Sequence, residues 1–182
     1  MKEKMIILLS LCVAVLLSGC GIFHFRGVVP NYEEEIYTSS STIKEVVLQD
    51  EDVPVQICNS DNGELYLSYY NTDDGSEKYK ITEEEGTLTV EKKAEINQGI
   101  FIFGDQYSSD SYKSVKLTLF IPYDYEGSLS IHTIDGNIEI KDVTIENLTI
   151  EINDGDVFLN NTTIRQKLAC EVKDGVINIV NN

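Results

Sequence analysis

Three Asp-Gly dipeptides in the second half of the chain form its most regular pattern of carboxylates. They begin at Asp135, Asp154 and Asp174, at intervals of 19 and 20 residues. If the three segments stack as neighbouring strands, their carboxylates lie about 4.8 Å apart and repel each other by about 0.9 kcal/mol in water. A bound Ca²⁺ ion would relieve this repulsion, because Ca²⁺ prefers oxygen ligands. Further candidate ligands nearby are Asp156, Asn137 and Asn153.

The same dipeptides also have an explanation that needs no metal. Asp accepts local hydrogen bonds from the backbone, and Gly adopts the positive φ angles that tight turns require. Both residue types are therefore expected wherever the chain turns between short strands. We favour this interpretation, so no cofactor is predicted, and Ca²⁺ held by the aspartates is the alternative.

A catalytic site finds little support in the residue pattern. His132 is the only histidine after His24, and no serine has the sequence context of a nucleophile elbow. β-Helix polysaccharide lyases combine Ca²⁺-binding acidic ladders with a basic residue near the sugar, and Arg165 is the only arginine after Arg26. The chain is therefore predicted not to be an enzyme, with a β-helix carbohydrate-active enzyme as an alternative.

Aromatic residues in the middle of the chain are the candidates for a binding surface. Tyrosine suits such surfaces because it offers a large contact area at a small entropy cost. Alternation along a strand places Leu65, Leu67 and Tyr69 on one face and Tyr66 and Tyr70 on the other, so one set must belong to the core. The predicted binding residues for a sugar or peptide are Tyr66, Tyr70, Phe101, Phe103 and Tyr107.

The elements that carry these candidates have the period of β-strands. From Ile43 onward nearly every apolar run alternates, as in Val115-Leu117-Leu119-Ile121, and none has a helical period. Asn-Gly, Asp-Gly and Glu-Gly turn signals separate the runs. The fold class is therefore predicted to be all-β.

The Asp-Gly dipeptides also mark a repeat in residues 128–182. Apolar residues recur at the same four offsets, −6, −4, +3 and +5, from each Asp. Asp-Gly between alternating apolar residues predicts a meander of hairpins, whereas a repeat predicts a solenoid whose coils stack on one another. The solenoid accounts for equal residues at equal offsets, and it accounts for the scarcity of large rings in the repeats. The favoured fold has antiparallel N-terminal strands that lead into a right-handed, single-stranded β-helix-like solenoid of about 20 residues per coil.

The strand that ends at Ile121-Pro122 and the two copies after it, Leu129–Ile140 and Leu148–Leu159, resemble a family of exported bacterial proteins labelled putative adhesins. That family is built on a β-helix-like repeat, and its turn is commonly Ser-Gly-Asp where this chain has Asp-Gly. The resemblance extends from Ile43 to Val180. It implies a solenoid domain of unknown function and brings no catalytic residues.

Residues 1–19 have the layout of a secretory signal. Lys2 and Lys4 precede an apolar run from Met5 to Leu17. As a helix this run spans about 20 Å, which is short of a hydrocarbon core of about 30 Å. The segment Leu17-Ser18-Gly19-Cys20 resembles the lipobox of bacterial lipoproteins, which implies lipid transfer to the Cys20 thiol and cleavage just before it.

The predicted organisation is a signal peptide at 1–19, a lipidated Cys20 with a flexible tether at 20–42, and an all-β domain at 43–182. The tether prediction rests on Pro30, an acidic run and a run of hydroxyl residues. The net charge of −17 at pH 7 disfavours nucleic acid and anionic lipid headgroups as partners. The lipid is therefore expected to hold the protein at the membrane. Cys58 and Cys170 are expected to be small core residues.

The predicted function is that of a lipoprotein on the extracytoplasmic face of the cell membrane, with a solenoid module that binds or supports other molecules without catalysis. Its expected partners are the membrane, through the lipid, and an envelope polysaccharide or protein. A sensor lipoprotein that regulates a membrane partner is the first alternative. Leu168, Cys170 and Ile177 lie at the edge of the last repeat, which predicts edge-to-edge self-association.

Overall fold

The computed structural model describes residues 31–94 and 115–180, and every helix or strand in these two ranges is a β-strand. None of these residues belongs to a helix that is long and apolar enough to cross a membrane. The all-β prediction is confirmed. The strands are β1 (Tyr32–Thr38), β2 (Glu45–Gln49), β3 (Val55–Asn59), β4 (Tyr66–Thr72), β5 (Glu77–Glu84), β6 (Thr87–Ala94), β7 (Leu117–Ile121), β8 (Ser128–Asp135), β9 (Ile138–Lys141), β10 (Thr144–Asp154), β11 (Val157–Asn160), β12 (Thr163–Asp174) and β13 (Ile177–Val180).

These strands form two mixed sheets. Sheet A has the order β1-β4-β7-β3-β9-β11-β13, and sheet B has the order β12-β10-β8-β2-β6-β5. The pairs β1–β4, β4–β7 and β5–β6 are antiparallel, and the other described pairs are parallel. The antiparallel strands therefore lie at one end of the molecule, and parallel strands make up the rest.

The parallel part consists of two-strand units, in which one strand belongs to sheet B and the next to sheet A. We call each such unit a rung. The five rungs are β2–β3, β6–β7, β8–β9, β10–β11 and β12–β13. Because the strands on either side of each Asp-Gly turn lie in different sheets, the turns are corners between sheets. The hairpin meander is therefore wrong, and successive repeats stack in parallel.

Equivalent residues of the repeats lie in register. Leu129 pairs with Leu148 and Leu148 with Leu168, and the three repeat aspartates pair in the same way. The interval grows from 19 to 20 residues at a β-bulge, where Glu146 lies opposite Arg165 and Gln166. The Glu146 carboxylate accepts hydrogen bonds from both side chains, at 3.0 and 2.5 Å. Stacking therefore explains both the repeat and its single irregularity.

The order of the rungs in space differs from their order in the sequence. The β2–β3 rung lies between the β6–β7 rung and the β8–β9 rung. Its strand β2 pairs with β6 on one side and with β8 on the other. The N-terminal strands thus do not simply lead into the solenoid, as the sequence predicted, since one N-terminal rung lies inside the stack.

The tether prediction is wrong for the segment from Tyr32 to Thr38. This segment forms β1, which pairs with β4 along its whole length at the edge of sheet A. The alternating apolar pattern did not indicate this strand, because most of its residues are exposed glutamates and tyrosines at the margin of the core. Two of its glutamate side chains accept hydrogen bonds from a neighbouring strand and do not enter the core. Glu83 continues this attachment by accepting hydrogen bonds from Tyr37 and from the hydroxyls of Ser39 and Ser41. These bonds lower the pKa of Glu83 to about 2.

The core between the sheets is mainly aliphatic. Its fully buried side chains are Leu and Ile residues such as Ile57, Leu119 and Ile145, which come from different rungs. Cys170 packs partly against this core, as predicted. Cys58 instead points outward from sheet A, because Val55 and Ile57 take the inward positions of β3. Both thiols are free, and burial raises the pKa of each.

Candidate binding face and corner ladder

The Asp-Gly corners bring the backbones of neighbouring rungs unusually close together. The glycines Gly136, Gly155 and Gly175 have φ angles of 108°, 133° and 146°. A Cβ atom at Gly155 would lie 2.7 Å from the carbonyl oxygen of Gly136, and one at Gly175 would clash with the carbonyl oxygen of Gly155. Glycine is therefore required at these corners both by its φ angle and by the space between rungs.

A second ladder holds the corners together through side chains. The Asn137 Oδ1 atom accepts a hydrogen bond from the Asp156 backbone N–H at 2.9 Å. In the next rung the Asp156 Oδ1 atom accepts one from the Val176 N–H at 3.0 Å. The residue two positions after each Asp thus links its own corner to the following corner, and the ladder stops at Val176 because valine has no acceptor.

The repeat aspartates lie in one line along this edge of sheet B. Asp135, Asp154 and Asp174 are direct neighbours in the parallel pairing, as predicted. Among the described residues, however, no group of three His, Cys, Asp or Glu side chains is arranged to hold a metal ion. Asp156 also uses one carboxylate oxygen for the corner ladder. The hydrogen bonds of the corner ladder fit the turn interpretation, and calcium binding by the aspartates stays a prediction.

His132 lies on the outer face of sheet B. Its Nδ1 atom is 3.3 Å from the Glu151 carboxylate on the neighbouring strand, and both side chains are exposed. The register explains the pair, since His132 lies directly opposite Glu151. This arrangement is a surface pair between stacked rungs.

The most prominent aromatic feature of the outer surface is a stacked ring pair on sheet A. Tyr66 on β4 lies opposite Phe120 on β7, and their ring centroids are 4.3 Å apart with planes inclined by 10°. On the other side of Phe120 lies Cys58, and beyond it Lys141. Sheet A thus presents an aromatic pair next to small and cationic side chains. Burial and the nearby charge of Asp61 raise the pKa of Tyr66.

The structure assigns one of the two predicted sets of side chains to the core. Leu65, Leu67 and Tyr69 are buried, and Tyr69 packs edge-on against Tyr79 at 5.6 Å. Tyr66 belongs to the outer pair, and Tyr70 is half-buried at the margin of the core. The other predicted binding residues, Phe101, Phe103 and Tyr107, lie outside the residues that the structure describes. Cys20 lies outside them as well.

Sequence reasoning missed a buried polar cluster at the β2–β3 corner. The Asp50 side chain accepts three backbone hydrogen bonds at its Oδ1 atom, from Glu51 at 2.7 Å, Asp52 at 3.1 Å and Val53 at 3.0 Å. Its Oδ2 atom accepts a hydrogen bond from the Tyr79 hydroxyl. Asp50 is only 4% exposed. This corner has no Asp-Gly dipeptide. The Asp50 carboxylate instead stabilises the turn by accepting hydrogen bonds from the backbone.

Lys92 balances part of the negative charge of this cluster. Its Nζ atom lies 2.6 Å from Asp52 and 3.1 Å from Glu77. The contact with Glu77 is an ion pair and not a hydrogen bond. The Glu77 Oε2 atom is buried, and no donor among the described residues is aligned with it. Burial alone would lower the pKa of Lys92. The hydrogen bond to Asp52 and the charge of Asp50 outweigh that effect and raise it. These contacts hold the charged side chains in place at the corner, and we assign the cluster a structural role.

Two solved structures show different degrees of likeness to this chain. A solved structure of a putative cell adhesion protein from Clostridium sporogenes superposes with a TM-score of 0.53, at 9% sequence identity, over 84% of this chain and 100% of that chain. A putative adhesin from Bacteroides fragilis gives a TM-score of 0.35, also at 9% identity, over 82% of this chain and 97% of that chain. At such identities the first likeness supports the fold alone. No curated protein matches the chain.

The family match is more direct than these structural likenesses. The family model described as Toastrack DUF4097 matches residues 43–179, which contain twelve of the thirteen strands in whole or in part. This chain belongs to the Toastrack DUF4097 family.

Proposed function

We propose that this protein is a lipoprotein that displays a non-catalytic binding module on the extracytoplasmic face of the cell membrane. The anchor is inferred from the sequence around Cys20, where small residues follow an apolar run. The net charge of the chain indicates how it would be held there. A chain with a net charge of −17 is repelled by anionic lipids, so a covalent lipid is needed to keep it at the membrane.

The observation that carries the binding proposal is the stacked pair of Tyr66 and Phe120. Aromatic rings on an outer sheet face are available for contact with a ligand, and a tyrosine hydroxyl adds a polar group at the same place. A sugar ring fits this combination, because it offers apolar C–H groups beside hydroxyls. Lys141 on β9 lies beyond Cys58 in the strand pairing and can donate to sugar hydroxyls. The ligand class that we propose is therefore an envelope polysaccharide.

We further propose that the stack winds as a right-handed solenoid. Strand β8 is joined to the parallel strand β10 of the same sheet by a crossover through β9. Connections between parallel strands of one sheet are right-handed in about 98% of cases, because the strand twist favours that direction.

Replacement of Cys20 by alanine tests the anchor. Only the thiol can accept the lipid, so the Cys20→Ala protein should fail to reach the mature, lipidated form and should accumulate as precursor or leave the membrane. Fractionation of cells, with the size of the product measured on gels, distinguishes these results from wild type. Cys12→Ala serves as the control and should be processed normally. A Cys20→Ala protein that stays membrane-bound at the mature size would refute the anchor.

Loss of the aromatic pair tests the binding face. The variants Tyr66→Ala and Phe120→Ala should bind purified envelope polysaccharide about tenfold more weakly, because an aromatic contact contributes roughly 1.4 kcal/mol or more to such interfaces. The measurement is equilibrium binding of the full chain in detergent, with thermal melting as a check of folding. Tyr123→Ala is the matched control, since Tyr123 is 77% exposed and lies outside this pair. Equal binding by all three variants would contradict the proposal.

A further inference from the structure

The outermost rung, β12–β13, exposes side chains that are buried in the rung beneath it. Leu168 is 43% exposed, whereas its neighbour Leu148 is fully buried, and Ile179 is 52% exposed, whereas Leu159 is 2% exposed. Strand β12 pairs with β10 on one side only, and β13 pairs with β11 on one side only. Among the described residues this rung is thus a sheet edge with an apolar interior beside it.

The corner of this rung is poorly suited to receive another repeat of the same kind. Asn137 and Asp156 each use a side-chain oxygen to hold the backbone of the following corner. Val176 occupies the equivalent position in the outermost rung and offers no acceptor. A fourth stacked repeat would therefore lack the bond that joins the others.

The charges of the outermost rung differ from those of the rest of the chain. It carries three cations, Arg165, Lys167 and Lys173, against two carboxylates, Glu171 and Asp174, although the whole chain has a net charge of −17. The opposite end of the stack is closed by β1 and β5. Strand β1 contains three successive glutamates and no cation, and β5 contains three glutamates and two lysines. Charged edge strands resist pairing. Two copies can thus approach through their outermost rungs with less repulsion than through their opposite ends.

Three charged side chains of β12, Lys167, Glu171 and Asp174, have no side-chain partner among the described residues. Arg165 binds Glu146 at 3.0 Å, and Lys173 binds Asn153 at 2.7 Å. Lys167 and Glu171 are exposed and make no such contact within the described ranges. Glu171 also lies directly beside Glu151 in the parallel pairing. A cation placed on the free side of Glu171 would relieve this like-charge contact.

We propose that two copies of the chain pair through β12 in antiparallel orientation, with a two-fold axis at Ala169. This register places Lys167 of each copy opposite Glu171 of the other on the outer face. It places Leu168 opposite Cys170 of the other copy on the inner face, where the exposed apolar side chains cover each other. The two pairings are equivalent by symmetry, so the interface closes at a dimer. The inference is independent of the polysaccharide proposal.

A charge exchange tests this register. The full chain in detergent should be a dimer by light scattering and sedimentation. Lys167→Glu should raise the dimer dissociation constant about tenfold or more, because two attractive pairs become repulsive. The double variant Lys167→Glu/Glu171→Lys should dimerise like wild type, since it restores both pairs with the charges reversed. Restoration also shows that the variants fold.

Lys80→Glu is the matched control. Lys80 is an exposed lysine on β5, the edge strand of sheet B at the opposite end of the stack. This change should leave the dimer intact. A wild-type chain that stays monomeric at submillimolar concentration would overturn the proposal. So would a dimer that Lys167→Glu leaves unchanged, or one that the double variant fails to restore.

Discussion

Replacement of Gly155 by alanine is expected to destabilise the domain by about 3–5 kcal/mol, the range of the most severe single substitutions. The new Cβ atom would lie 2.7 Å from the Gly136 carbonyl oxygen and 3.0 Å from its carbonyl carbon. These are backbone atoms of the neighbouring rung, so no side-chain rotation relieves the contact. The rungs would have to separate, which would weaken the parallel hydrogen bonds on both sides. Urea denaturation of the full chain, followed by circular dichroism, measures the loss.

Gly63→Ala is the matched control for this substitution. Gly63 also has a positive φ angle, of 74°, but no atom lies within 4 Å of the position that a Cβ would take. Its replacement should therefore cost only the backbone strain, about 1–2 kcal/mol. The difference between the two variants contains the contact between rungs together with the greater backbone strain at the φ angle of 133° of Gly155. Similar losses at both positions would show that the φ angle alone explains the repeated glycines.

Replacement of Asp50 by alanine is also expected to lower the free energy of unfolding by about 3–5 kcal/mol. The change removes the acceptor of three backbone N–H groups and of the Tyr79 hydroxyl, all at a corner where Asp50 itself is only 4% exposed. Each buried donor left without an acceptor costs about 1–3 kcal/mol. The loss should be measured at neutral pH by the same denaturation experiment.

Asp50→Asn distinguishes the hydrogen bonds from the charge. Asparagine keeps an Oδ1 acceptor for the three N–H groups, so this variant should lose only about 1 kcal/mol. Burial and the charge of Asp50 raise the pKa of Tyr79, so removal of that charge should lower the pKa again. Urea denaturation at neutral pH measures the stability of this variant beside that of Asp50→Ala. A loss of stability as large as that of Asp50→Ala would show that the carboxylate charge is the essential feature.

The repeats could be predicted from sequence because their signals are local and recur. Each copy places apolar residues at fixed distances from an Asp-Gly corner, and a stack of equal rungs requires that regularity. The in-register contacts of Leu129, Leu148 and Leu168 follow directly from the spacing. Even the change from 19 to 20 residues corresponds to one local feature, the bulge opposite Glu146.

The remaining features depend on contacts between distant parts of the chain. No local pattern indicates that β2 pairs with both β6 and β8, because alternation defines a strand but not its neighbours. Strand β1 was missed for a related reason. Its glutamates are stabilised by partners such as Ser68 and Tyr69, which lie more than thirty residues away. The turn made by Asp50 resembled an ordinary acidic loop in the sequence, and only its burial shows its importance.

The placement of β2–β3 inside the stack also constrains how the chain can fold as it emerges from the ribosome or an export channel. One edge of β2 needs β6, and the other needs β8, which is complete only at Asp135. The three C-terminal rungs pair over intervals of about 20 residues, and such short loops close at low entropic cost. The N-terminal rung must instead wait for partners 40 or more residues away. We therefore expect vectorial synthesis to leave the first half of the domain incomplete until the first repeat has appeared.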